Sequence, residues 1–218
     1  MATDEALRRP VSAHDVALRE IRQLILTGGY QPGAQIAQEQ IAVRLGISVI
    51  PVREALKSLE GEGQVVFVAR RGYFVTKFSR EDLVEICSIR SALEGIAVRQ
   101  GAADLSAKVF QDMAKALADM RDADAADDVL AFVEADRRFH FALLRPGCGP
   151  QLVRLLTWMW DQSDHYRAAY LSHAEHRRSN HDEHAAILRA AEDRTAERIV
   201  RLLDAHRLTP LSTVEQGA

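Results

Sequence analysis

The 218-residue chain reads as mainly α: an N-terminal winged helix-turn-helix with a small β-hairpin wing, followed by an all-α helical bundle. Three observations predict this. Apolar residues recur at the 3.6-residue helical period along most of the chain. The period falls to two only in Val65–Val68 and Tyr73–Val75, on either side of Ala69-Arg70-Arg71-Gly72, which marks a hairpin. From Glu81 onward the pattern is helical, with no convincing strand. The expected boundaries are 12–78 for the first module, 81–208 for the bundle and 209–218 for a loose tail.

In chain order, Val16, Leu18, Ile21, Leu24 and Ile25 give a first helix that Gly28-Gly29 ends, and Tyr30-Gln31-Pro32-Gly33 is a turn. A short second helix covers Gln38 to Leu45, turning Ile41, Ala42 and Leu45 inward. Gly46 makes a tight turn and Ser48 is expected to cap the third helix through its hydroxyl. Pro51 sits in the first turn, where its missing N–H costs nothing. This helix runs from Val49 to Glu60, buries Val52, Ala55, Leu56 and Leu59, and stops at Gly61 and Gly63. The bundle is expected to hold helices at 81–101, 106–121, 127–145, 150–171, 178–192 and 195–208, with Ser106 and Thr195 as caps. Breaks fall at Gly101, the Asp/Ala-rich run 122–128, Pro146–Pro150 and the His/Arg-rich stretch 173–181.

Composition bounds the function. With 47% hydrophobic and 27% charged residues the chain has the makings of a real core. No apolar run approaches membrane-spanning length, and Asp4 and Glu5 do not fit the basic start of a signal peptide, so no membrane partner is expected. Cys87 and Cys148 are two lone thiols, which argues against a disulfide framework and for a cytoplasmic setting. The net charge of −3 hides a division. Residues 1–80 hold 11 Lys/Arg against 8 Asp/Glu, and residues 81–218 hold 17 against 23.

A helix-turn-helix alone is weak support for DNA binding, because many small bundles share it. The wing decides the matter: two adjacent arginines at a hairpin tip serve no core and suit phosphate or minor-groove contact. Arg44, Ser48, Val49, Ile50, Arg53, Lys57, Arg70, Arg71 and Gly72 are the expected contacts with double-stranded DNA. Pro51-Val52-Arg53-Glu54-Ala55-Leu56, then Glu62-Gly63 and Arg71-Gly72-Tyr73-Phe74-Val75, resemble the GntR family of bacterial transcription regulators over about residues 12–78. Members usually carry Ser-Arg-Thr where this chain has Ser48-Val49-Ile50. The family's arginine contact is therefore missing, and Val49 and Ile50 are expected either to shift base preference through thymine methyls or to reduce affinity for DNA.

Within the bundle, polar groups interrupt apolar stripes. Asp136 falls on the stripe of Val129, Phe132, Val133, Phe139 and Leu143, and His140 follows one turn later. His184 leads into Ile187, Leu188 and Ala191, and His206 follows Ile199, Leu202 and Leu203. Carboxylates and imidazoles are costly to bury unless paired or bound to a metal. One oxygen and up to three imidazole nitrogens suit a divalent first-row ion, such as zinc, nickel, manganese or iron. The alternatives are an Asp136–His140 ion pair and separate hydrogen-bonded core histidines, with His181 the rival to His184. His173, His176 and His181 read as solvated loop groups.

The same four positions are similar to the pattern of GntR regulators of the fatty-acid-regulator-like branch. That resemblance covers roughly residues 80–208 and implies a helical, metal-containing ligand-sensing domain, a small carboxylate effector and a homodimer. Arg90 lies on the inward stripe of Leu83, Ile86, Cys87, Leu93 and Ala97, where it either pairs with Glu94 or captures an effector carboxylate. Gln162 and Tyr166 share the stripe of Leu155 and Met159 and are expected to line the same cavity, while Trp158 and Trp160 read as packing residues. The function expected is a ligand-responsive repressor on a pseudo-palindromic operator, and not an enzyme. A direct metal sensor and a helical metalloenzyme with a DNA-binding arm are the alternatives.

Overall fold

A computed structural model describes residues 12–213. The expectation about the N-terminal acidic residues and the last part of the tail, 214–218, lies outside the described residues. In chain order the elements are α1 (Ala13–Leu26), α2 (Gln38–Leu45), α3 (Val49–Gly61), β1 (Val65–Val68), β2 (Gly72–Val75), α4 (Arg80–Gly101), α5 (Ala107–Ala125), α6 (Val129–Leu144), α7 (Pro150–Leu171), α8 (Ala174–Glu192) and α9 (Ala196–Thr213).

The first module closes around Ala17, Ile21 and Ile25 of α1, Ile41 and Ala42 of α2, and Val52, Ala55, Leu56 and Leu59 of α3. Gly46, at φ 64°, makes the left-handed turn between α2 and α3 that a side chain would resist. Ser48 occupies the cap position of α3, but its side chain makes no cap hydrogen bond, so the expected hydroxyl cap is corrected. β1 and β2 pair antiparallel with Val65 opposite Val75 and Val68 opposite Gly72. A third edge joins them: the Ile36 N–H donates to the Tyr73 carbonyl at 2.9 Å, and the Val75 N–H to the Ala34 carbonyl at 2.9 Å. Sequence periodicity gave no sign of this edge, because two or three residues are too few to show a period.

The bundle helices run longer than expected at three ends. α5 continues to Ala125, since alanines favour helix and the run 122–125 needs no break until Asp127 adopts φ 52°. α8 begins at Ala174 rather than 178 because Arg177 is buried, not solvated. Its guanidinium reaches Asp124 at 2.5 Å, Asp127 at 2.6 Å and the Leu171 carbonyl at 2.9 Å, pinning the α5–α6 and α7–α8 connections together. α9 extends to Thr213, so residues 209–213 are helix rather than tail. The caps also differ. Ser79 and Asp82 form a capping box at α4, whereas Ser106 caps α5 as expected. The Thr195 hydroxyl instead donates to the Asp193 carbonyl at 3.4 Å.

Two glycines set how closely α4 meets the 145–147 turn. A Cβ on Gly147 would fall 1.8 Å from the Ala97 carbonyl oxygen, and one on Gly101 would fall 2.4 Å from the Gly147 nitrogen. Backbone therefore packs on backbone there. Between the modules, α7 carries the contacts: the Trp158 indole donates to the Gly61 carbonyl at 3.2 Å, and the Tyr166 hydroxyl accepts from the Phe78 N–H at 2.7 Å. Among the described residues, no helix is long and apolar enough to cross a membrane.

Candidate functional site

α3 presents an outward stripe at helical spacing, formed by Ile50, Arg53, Glu54 and Lys57, all exposed. Ile50 is 71% exposed, whereas Val49 packs against the module's core, so the two residues expected together have different fates. Arg53 Nε donates to the Gln38 side-chain oxygen at 3.1 Å, which sets the guanidinium between α2 and α3. Arg44 is exposed but turned to Glu20 of α1 at 3.0 Å. At the wing tip Arg70 takes φ 65° and the Arg71 N–H closes on the Val68 carbonyl at 2.9 Å. Gly72, at φ 93°, follows the two exposed arginines, and the Arg71 guanidinium lies 5.0 Å from the Phe74 ring centroid.

In the bundle, α6, α8 and α9 bring Asp136, His140, His184 and His206 together, with one ligand-type atom from each within 4.8 Å of all the others. His184 Nε2 lies 2.9 Å from Asp136 Oδ1 and 3.1 Å from His140 Nε2. The His184 Nδ1 must carry its proton, because it bonds the Asn180 carbonyl at 2.7 Å. In the neutral imidazole, Nε2 then presents a lone pair to the cluster. His206 is arranged alike, with Nδ1 on the Glu183 carboxylate at 2.5 Å and Nε2 left available. Such outer partners are how metal-ligating imidazoles are oriented.

Charge states fit the same arrangement. Burial pushes the His140 imidazole well below its ordinary value, and burial likewise lowers His206. Burial alone would raise the Asp136 carboxyl, but the Arg167 guanidinium and the surrounding imidazoles hold it well below the usual carboxylate range. Asp136 is thus favoured as a carboxylate, and His140 and His206 as neutral imidazoles. Asp136 Oδ2 is taken by Arg167, while Asp136 Oδ1 and His140 Nδ1 are buried without a hydrogen-bond partner. His181 stands apart: its Nε2 faces Asp124 at 3.2 Å and its ring meets Phe132 edge-on.

The cluster opens on a cavity of about 240 Å³. Arg90 and Tyr166 line it, as do Arg167 and Arg207. Gln162, expected there, instead packs toward the first module, its Cγ 2.9 Å from where a Gly63 Cβ would stand. His173 borders the cavity but is exposed, as expected, whereas His176 is half-buried and its ring stacks on Tyr170 at 4.0 Å. Glu94 is the buried hub of one wall. It accepts from Arg90 at 3.0 and 3.1 Å, from the Trp160 indole at 3.0 Å, and from Arg207. Of the two expected states of Arg90, the ion pair with Glu94 is the one observed.

With both surfaces described, comparison with known proteins decides the family. A model described as bacterial regulatory proteins, gntR family, matches residues 14–75, and a model of the FCD domain matches residues 85–209. The chain belongs to the GntR family. This GntR protein is 31% identical over 209 residues to the uncharacterized HTH-type transcriptional regulator BphR of Paraburkholderia xenovorans, covering 93% of this chain and 85% of BphR. It is 29% identical over 211 residues to the HTH-type transcriptional repressor GlaR of Escherichia coli, covering 91% and 94%. The structure of E. coli McbR/YncC superposes with a TM-score of 0.81 at 20% identity, over 95% of this chain and 99% of that one, and so shares the fold. The GntR regulator is accordingly a DNA-binding transcription regulator, of a family of regulators rather than enzymes.

Two cavity residues of this GntR regulator were missed in its sequence, and both carried a signal. Arg207 lies at i+4 from Leu203 and i+7 from Val200, on an inward stripe of α9. Arg167 lies at i+4 from Ser163 and i+7 from Trp160, and its guanidinium sits 4.3 Å from the Trp160 ring centroid. The rule that singled out Arg90 applies to each.

Proposed function

We propose that this regulator is a ligand-responsive repressor whose bundle holds a divalent transition metal at Asp136, His140, His184 and His206 and takes a small carboxylate effector beside it. The observation that carries this reading is the convergence of four ligand-type atoms within 4.8 Å of one another, with His184 Nε2 2.9 Å from Asp136 Oδ1 and 3.1 Å from His140 Nε2. Such atoms converge around a shared proton or a shared cation, and a donor set of one carboxylate and three imidazoles suits zinc, nickel, manganese or iron. Three imidazoles and one carboxylate leave room for an exogenous ligand, and a bound divalent ion supplies Lewis acidity that attracts a carboxylate oxygen.

α7 is the route to DNA. Trp160, Ser163 and Arg167 face the cavity, while Trp158 and Tyr166 of the same helix hold Gly61 and Phe78 at the end of the DNA-binding module. An effector that favours one setting of α7 thereby favours one placement of α3 and the wing. A homodimer would set two such helices about one DNA turn apart, on a pseudo-palindromic operator. Arg53, Lys57, Arg70 and Arg71 supply cations for DNA, the exposed Ser48 hydroxyl suits a phosphate, and Ile50 offers an apolar surface to thymine methyls.

Ile50→Ala should weaken binding to a selected operator roughly fourfold, the worth of one buried methylene-sized contact. Uracil in place of a single operator thymine should do the same, and the two losses should not add. Full additivity at every thymine would exclude the contact.

The sensing model is tested on the full-length protein by metal analysis followed by operator titration with small acids, before and after chelation. Expected are about one equivalent of metal per chain and an acid-driven loss of operator affinity of about 5–150-fold that chelation abolishes. Acid-independent operator binding in both states sinks the model. A response to metal alone, without acid, identifies a direct metal sensor.

A further inference from the structure

We propose that the ligand of this cavity is a monocarboxylate with an apolar body, and that di- and tricarboxylates and sugar acids are discriminated against. The proposal rests on the carboxylate-sensing reading and narrows it.

The cavity's cations are already committed. Arg90 gives Nε and Nη2 to Glu94 and Nη1 to Ser163. Arg207 gives Nη2 to Glu94 and Nη1 to Asp204, and its unpaired Nε is fully buried. Arg167 gives Nη2 to Asp136 and Nη1 to Asp164. Among the lining residues Arg90, Arg167 and Arg207 are matched by Glu94, Asp136 and Glu183. No guanidinium fork is left open for a second carboxylate, although arginine is the group that would recognise one. The first carboxylate has a different place to go, at the Asp136, His140 and His206 face of the cluster that borders the cavity.

Away from the cluster the wall changes character. Leu83, Ile86 and Cys87 of α4, Tyr170 and Leu171 of α7, and Leu203 of α9 line it. A second charge would lose its water there with no open guanidinium to meet it, and a polyhydroxylated tail would find only a few hydroxyls and imidazoles in place of water, whereas a hydrocarbon tail gains from leaving water. Each methylene buried against this wall is worth roughly fourfold in affinity.

Three six-carbon acids separate the cases: hexanoate, adipate and gluconate, titrated by calorimetry into the metal-loaded full-length protein, with butanoate to measure the value of two methylenes. Hexanoate should bind at least tenfold more tightly than adipate or gluconate, and roughly an order of magnitude more tightly than butanoate. Adipate or gluconate binding as tightly as hexanoate overturns the proposal while leaving carboxylate sensing intact. No binding by any of the four to protein that has taken up metal overturns the carboxylate reading itself, and this proposal with it.

Discussion

Glu94→Gln is expected to destabilise the bundle by about 3–5 kcal/mol, the usual cost of breaking a buried ion pair from one side. Glu94 is 1% exposed, and Arg90 and Arg207, at 5% and 7%, have it as their shared carboxylate. Glutamine keeps the shape but removes the charge, so Arg90 stays buried with no carboxylate and Arg207 keeps only Asp204, and the new amide adds a donor where only donors converge. The helix itself supplies a control. Arg99 binds Glu197 through two hydrogen bonds, at 2.7 and 3.1 Å, yet both side chains are more than half exposed. Glu197→Gln should leave the urea midpoint close to the wild-type value, because solvent screens an exposed pair. Urea unfolding of the two variants tests the contrast, and equal midpoints would show that Glu94 is not the hub its contacts describe.

The pH dependence of this hub has a definite sign. Burial alone would raise the Glu94 carboxyl, but Arg90 and Arg207 outweigh it and hold it below its ordinary value. Its contribution is then present above the unfolded-state value and is lost as pH falls through the depressed one.

The first module was the more legible in sequence because its determinants are local. Gly46, Pro51, Gly63 and Gly72 act on their own backbone, and the period of two around Arg70-Arg71 needs only neighbouring residues to be read. The edge at Ala34–Ile36 escaped notice because its partners lie in β2, some forty residues away. In the bundle the four polar intrusions at Asp136, His140, His184 and His206 were visible as breaks in apolar stripes, and the structure gathers them. Periodicity says which way a side chain faces, not what it meets. Gln162 faces inward from α7, but what it meets is the first module. The break expected over 173–181 was drawn too long for the opposite reason. A run of histidines and arginines looks solvated until Asp124 and Asp127, fifty residues away, enclose one of them.

The strongest test of the metal reading compares two neighbouring histidines. His184 is wholly buried, with Nδ1 fixed by the Asn180 carbonyl and Nε2 aimed into the cluster. His181, three residues earlier, is committed to Asp124. His184→Ala should lower metal affinity by more than the roughly 10–100-fold that losing a mere supporting partner costs, and should abolish the effector response. His184→Gln, which fills more of the space beside Phe139, should do the same and separates ligand loss from a packing defect. His181→Ala should leave metal affinity within about twofold. Both His184 variants should keep operator binding, because the core of the DNA-binding module is a separate cluster of side chains. Acid should act in the same direction as His184→Ala. His140 and His206 are held below their ordinary values by burial, so stability from the neutral cluster is present above about pH 6.5 and is lost as pH falls toward the depressed values. Protons then compete with the metal for the same nitrogens, and metal release should track that fall. Metal held at wild-type affinity by His184→Ala but lost by His181→Ala would move the site to Asp124; metal held by both would leave Asp136 and its three imidazoles as a polar core without an ion.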